Sequence, residues 1–81
     1  MHTTTMSIPG EECLLIAHWH YSDLSQASGM YLIGMGVNTT NQIVEIANRN
    51  IDFSLRVNSN HTLTITQSGQ NRGYSMILIV W

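Results

Sequence analysis

The most regular pattern in the chain lies between residues 51 and 67, where hydrophobic and polar residues alternate. Alternation with a period of two places one face of a β-strand against a core and the other face in water. Residues 58–60, Asn-Ser-Asn, interrupt the pattern with a composition typical of a turn. The segment therefore predicts a β-hairpin with one solvated face. Its apolar positions are Ile51, Phe53, Leu55, Val57, Leu63 and Ile65.

The last segment, residues 74–81, has no such alternation. A strand there would carry apolar side chains on both faces: Ile77, Ile79 and Trp81 on one, and Tyr74, Met76, Leu78 and Val80 on the other. Because such a strand has no side for water, the pattern predicts contact with another subunit. The residues that we expect at that interface are Tyr74, Met76, Leu78, Val80 and Trp81.

Four further β-prone segments precede the hairpin, and turns rich in Gly, Asn and Ser separate them: 3–8, 13–21, 30–37 and 42–47. Apart from one helical turn at 23–27, we expect no helix. Six or seven short strands predict a single all-β domain over residues 1–81, a compact antiparallel β-sandwich or jelly roll.

The size of the chain favours self-association. It has 81 residues and one cysteine. A domain this small buries a modest share of its surface, and a single cysteine excludes an internal disulfide. Oligomerisation is the remaining common means of stabilising a small fold, so we expect a homo-oligomer.

Charge is scarce. Charged residues make up 10% of the chain, lysine is absent, and the net charge is −2. Three scattered arginines form no basic stripe, so we expect neither nucleic acid nor anionic membrane as a partner. The longest apolar stretch, residues 76–81, is far shorter than the ~20 residues of a membrane-spanning helix, so membrane insertion is not expected.

His18 and His20 form the sharpest local motif, because residues two apart on a strand point the same way. If this strand lay near a trimer axis, the two histidines of three chains would supply six nitrogens for an octahedral metal ion. The simpler interpretation, two polar side chains at a strand end, is favoured. No other cofactor is expected.

Catalysis is not expected. The chain has five carboxylates, and a domain of this size offers little room for a cleft with two facing acids. Cys13 lies in an apolar run, where a free cysteine behaves as a small hydrophobic residue. An active site at a subunit interface, involving Asp52 or His20, is the enzymatic alternative.

Binding of a sugar would use an exposed aromatic ring and hydrogen-bonding side chains. Tyr21 ends a predicted strand beside a polar loop, and several asparagines occupy predicted turns. The candidate ligand-binding residues are Tyr21, Asn38, Asn41 and Asn60.

In style, two segments resemble the C-terminal tip domains of bacteriophage tail fibres and tailspikes. The first is Asn60–Ser68, a threonine-rich strand, and the second is Gly73–Trp81, an apolar strand that ends a lysine-free chain. The resemblance covers about half of the sequence and assigns no functional residue to a position. Trimeric jelly-roll heads of bacterial collagen-like proteins, and the tumour-necrosis-factor-like fold, share the implied architecture.

The resemblance implies a parallel homotrimer in the virion, in the phage tail, after assembly in the host cytoplasm. The domain would be the C-terminal part of a longer fibre or spike protein, and it would serve trimerisation and host-receptor attachment. Its expected partners are therefore copies of itself and a bacterial surface polysaccharide. The alternative is a free-standing, lectin-like carbohydrate-binding module.

Overall fold

A computed structural model of the chain describes residues 1–20, 26–36, 42–69 and 73–81. These residues contain seven β-strands, which confirms the predicted all-β class. Nowhere in them is there a helix long and apolar enough to cross a membrane. The strands are β1 (His2–Ser7), β2 (Glu12–His20), β3 (Gln26–Gly34), β4 (Ile43–Arg49), β5 (Phe53–Val57), β6 (Thr62–Gln67) and β7 (Ser75–Val80).

The seven strands form two antiparallel sheets. The three-stranded sheet has the order β1-β6-β5, and the four-stranded sheet has the order β4-β3-β2-β7. The predicted hairpin is confirmed, with β5 and β6 paired from Phe53 opposite Gln67 to Val57 opposite Leu63. The two sheets share one hydrophobic core, as in a β-sandwich.

The core consists of alternate residues from strands of both sheets. Leu63 and Ile65 come from β6, while Leu15 comes from β2 and Ile33 from β3; all four are almost completely buried. Because neighbouring residues on a strand point to opposite faces, each sheet gives the core one face only. The second face of each sheet therefore remains on the outside.

Three aromatic rings link the sheets at one end of the core. The Phe53 ring lies 5.9 Å from the Tyr31 ring and 4.9 Å from the Tyr74 ring, centroid to centroid. The Tyr74 hydroxyl donates a hydrogen bond of 2.5 Å to Asp52 Oδ1. The Ser68 amide donates to the Asp52 carbonyl oxygen at 3.2 Å. These contacts fix the start of β5 and the approach to β7.

The sequence pattern was wrong about the start of β3, which begins at Gln26 and not at residue 30. Residues 26–29 have the composition of a loop, yet they pair with residues 17–20 of β2. Gly29 is buried, and a Cβ atom there would lie 2.8 Å from the hydroxyl oxygen of Tyr31. The small residue thus makes room for an aromatic ring within a strand. Residues 26 and 27 are accordingly not helical, and the rest of the predicted helical turn at 23–27 lies outside the described residues.

Strand β4 also runs further than predicted, to Arg49 and not to residue 47. Its pairing with β3 shifts register between Met30 and Tyr31, as at a β-bulge. The residue after the strand is Asn50, whose φ of 57° lies in the left-handed region that asparagine tolerates. The Asn50 side-chain amide also donates a 3.1 Å hydrogen bond to the carbonyl oxygen of Gln26.

Gly29→Ala should reduce the free energy of unfolding by roughly 1–3 kcal/mol, because the added methyl group would overpack the Tyr31 ring. Gly69→Ala is the matched control, since a Cβ atom at Gly69 meets nothing within 4 Å. Urea unfolding of both variants measures the difference. Equal unfolding midpoints would show that Tyr31 yields to the methyl group without cost.

Candidate functional site

The outer face of the four-stranded sheet is apolar, although it lies on the surface. In β2, Cys13, Leu15 and Ala17 are completely buried, and the residues between them, Leu14 and Ile16, point to the other side. The same holds for β3, where Met30 and Leu32 alternate with residues of the core. Both central strands of this sheet are therefore apolar on both faces.

The strand register aligns these residues of β2 and β3 with residues of β4 and β7 in two apolar rows across the sheet, because paired residues in an antiparallel sheet point to the same side. Leu14 is paired with Leu32 and Ile79, and Leu32 is paired with Val44. The second row is Ala47, Met30, Ile16 and Ile77. We call the two rows together the apolar face: Leu14, Ile16, Met30, Leu32, Val44, Ala47, Ile77 and Ile79.

The side chains at the borders of the apolar face are the most exposed. Ile77 and Ile79 on β7 have 59% and 46% of their surface in solvent, and Val44 on β4 has 42%. Contiguous apolar surface with a polar border marks sites of association rather than ordinary protein surface. The face is thus a candidate binding surface.

Among the described residues, the polar and charged groups on this side of the sheet lie at its two ends. At one end the register places Arg49, Ser28, His18 and Ser75 in a third row. A shallow depression of about 440 Å³ lies between this row and the apolar face. At the other end Glu12 is paired with Gly34. The charges therefore border the apolar rows without interrupting them.

The predicted interface residues within β7, Met76, Leu78 and Val80, lie on its inner side by alternation, and Tyr74 immediately precedes the strand. Met76 and Leu78 pack against the core. Tyr74, half-buried, contacts the Phe53 ring. Val80 is paired with the buried Cys13, and its Cγ1 would lie 2.6 Å from a Cβ atom at Gly10.

Trp81 is the predicted interface residue that the structure leaves most exposed, at 63%. On β7 itself the outward side chains are Ile77 and Ile79, which the sequence pattern placed on the opposite side from Met76 and Leu78 without assigning them to the interface. Either side of an apolar strand can be the inner one, so the choice depends on the register with β2. That register was not readable from β7 alone.

The two histidines of the motif lie at the end of β2. His18 is exposed and is paired with Ser28 and Ser75 on the outer side of the sheet. The His20 side chain lies outside the described part of the chain. Among the described residues no three His, Cys, Asp or Glu side chains are grouped as metal ligands. Shared metal binding at a trimer axis remains a prediction.

Of the candidate ligand-binding residues, Tyr21, Asn38 and Asn41 lie outside the described residues. Asn60 is exposed in the turn between β5 and β6, where its Oδ1 accepts a 2.6 Å hydrogen bond from the Thr62 hydroxyl. The turn is braced by Asn58, whose side-chain amide donates to the hydroxyl oxygens of Thr62 at 3.0 Å and Thr64 at 2.8 Å. Asn60 is therefore held on a well-bonded turn.

The groups considered for catalysis have structural contacts. Cys13 is completely buried, and burial raises the pKa of its thiol, so the reactive thiolate is disfavoured. Asp52 is half-buried and accepts a hydrogen bond from Tyr74. The sequence pattern placed Asp52 on the wet face of a strand; the structure places it just before β5, next to the aromatic cluster.

Comparison of the chain with protein-family models, with curated proteins and with solved structures gives no match.

Asn58→Ala should lower the free energy of unfolding by about 1–3 kcal/mol, because it leaves two part-buried threonine hydroxyls without their donor. Asn60→Ala, at an exposed position of the same turn, should cost less. Thermal or urea unfolding of the two variants tests the ranking. A larger loss from Asn60→Ala would mean that Asn58 does not brace the turn.

Proposed function

We propose that this chain is a non-enzymatic trimerisation and host-attachment domain at the end of a bacteriophage tail fibre or tailspike. The apolar face is the observation that carries the assembly part of this proposal. It joins residues of β4, β3, β2 and β7 into one surface without an internal charge. Association of copies removes this surface from water.

The energy available from the apolar face is large compared with the stability of a small domain. Complete burial of one Leu, Ile, Val or Met side chain contributes about 1.5–3 kcal/mol. Much of that contribution is still available at Ile77, Ile79 and Val44, because about half of each side chain is exposed to solvent. Folded small domains are stable by only about 5–15 kcal/mol, so association of this face would be a substantial addition.

The attachment part rests on the resemblance to fibre tips and on the chemistry of the turns. The three-stranded sheet has a polar outer face of threonine, serine and arginine, and the β5–β6 turn presents Asn60. Such groups offer hydrogen bonds to the hydroxyls of a surface polysaccharide. The second candidate function, a free-standing carbohydrate-binding module, is favoured by the exposed Trp81 ring, which could stack on a sugar.

Ile79→Asp should yield a folded monomer, whereas Leu78→Asp should prevent folding. The first variant places a carboxylate on the exposed apolar face, and the second places one against the core. Ser54→Asp on β5 is the control, because Ser54 is exposed on the outer side of the three-stranded sheet. Light scattering gives the mass, relative to 9.1 kDa for one chain, and circular dichroism reports the β-structure.

The wild-type chain and Ser54→Asp should both have the mass of a trimer at micromolar concentration. If Ile79→Asp does not fold, Ile79→Thr retains the branched shape and provides the same comparison. A wild-type monomer would refute the proposed assembly. A trimer that persists in the Ile79 variants would show that the apolar face is not its contact.

Attachment should depend on assembly. A trimer presents three sites at once, so its avidity for an immobilised bacterial polysaccharide should exceed that of the Ile79→Asp monomer by a factor of about 10²–10⁴. Binding to an array of bacterial surface polysaccharides measures both proteins under the same conditions. Equal binding by the monomer would favour the carbohydrate-binding module.

A further inference from the structure

The four-stranded sheet has a width that suits closure around a three-fold axis. We propose that three copies arrange these sheets as the sides of a triangular prism, with the apolar face of each copy turned towards the axis. This inference rests on the proposed homotrimer and specifies which surfaces meet. The apolar face of each copy would thus pack against the apolar faces of the two other copies.

The dimensions follow from ordinary sheet geometry. Four strands about 4.8 Å apart make a side about 19 Å wide. In a triangle with sides of this width, each side lies about 5.5 Å from the centre, close to half of the ~10 Å that separates packed sheets. The side chains of the apolar face would therefore fill the interior without a channel. A sheet with more strands would leave a space at the axis.

The two free edges of the sheet also match. β4 and β7 are the edge strands of the sheet. In the prism, β4 of each copy would lie next to β7 of a neighbouring copy. Successive antiparallel pairs make β7 run opposite to β4. Rotation about an axis along the strands preserves direction, so β4 of one copy meets an antiparallel β7. This head-to-tail contact closes after three copies and leaves no edge of this sheet open.

Register predicts which side chains meet at the corners of the prism. Val44 and Ile79 are the two ends of one row, and Ala47 and Ile77 are the ends of the next. Residues of one row lie at one height along the axis, so Val44 of one copy should lie next to Ile79 of the next. In the third row, which is polar, Arg49 of one copy would lie next to Ser75 of the next copy. No like charges would therefore face each other at the corner.

A face-to-face pair of copies fits less well. Two faces of about 19 by 27 Å, each four strands wide and four residue rows long, would form its whole contact. Such a pair would also leave both edge strands open, including β7, which carries no charged residue to prevent further pairing. The closed trimer covers the face and both edges.

Cross-linking through one row tests the arrangement. The full chain with Val44→Cys and Ile79→Cys should form a covalent trimer on oxidation to disulfides. The native Cys13 is completely buried and does not compete. Arg49→Cys with Ile79→Cys is the mismatched control, because these positions lie two rows apart and exceed the reach of a disulfide. The control should give at least tenfold less covalent trimer.

Each outcome decides a separate point. Covalent trimer as the end product supports the prism, and Ala47→Cys with Ile77→Cys gives the same test if the first variant does not fold. Trimeric mass by light scattering without row-specific cross-links would refute the prism while the proposed trimer stands. Covalent dimers alone would indicate a face-to-face pair, and a ladder beyond three would indicate an open filament; either result overturns the inference. A monomer would refute the proposed assembly as well.

Discussion

The number of strands is the constraint on which the rest of this structure depends. In the described part of the chain, seven strands in two sheets enclose one core, and that core receives a single face from each sheet. The two remaining faces must be either solvated or covered by something else. The outer face of the three-stranded sheet carries polar side chains that suit water, which include a Thr5–Thr64 hydroxyl pair 3.4 Å apart. The outer face of the four-stranded sheet lacks such side chains at its centre, since its central strands are apolar on both faces.

This difference explains how far the sequence could predict the fold. The hairpin of β5 and β6 was predictable because a solvated face produces strict alternation, as in Leu63, Thr64 and Ile65. The start of β3 was not predictable, because residues 26–29 become a strand by pairing with the distant residues 17–20 of β2, and the small Gly29 leaves room for the Tyr31 ring beside it. Local composition there indicates a loop, and packing overrides it.

The candidate site was predictable in kind but not in its residues. The apolar strand β7 predicted a contact with another subunit, which stays a prediction, and the position of β7 beside β2 decides that Met76 and Leu78 face the core and Ile77 and Ile79 face outward. The contributions of Leu14 and Ile16 on β2, and of Met30 and Leu32 on β3, were present as continuous apolar runs. A continuous apolar run indicates that neither face of a strand suits water, but it does not indicate whether the second face packs against the same chain or another one.

In the proposed trimer β7 would use opposite faces for folding and for assembly, so the two would be linked but separable. Its inner face completes the core through Leu78, and its outer face supplies two of the most exposed apolar side chains, Ile77 and Ile79. Binding that occurs only in the folded state stabilises that state by mass action. A small core can therefore suffice if association adds to it, and the stability of the domain should then rise with protein concentration. In this view the apolar outer face supplements the core and does not replace it.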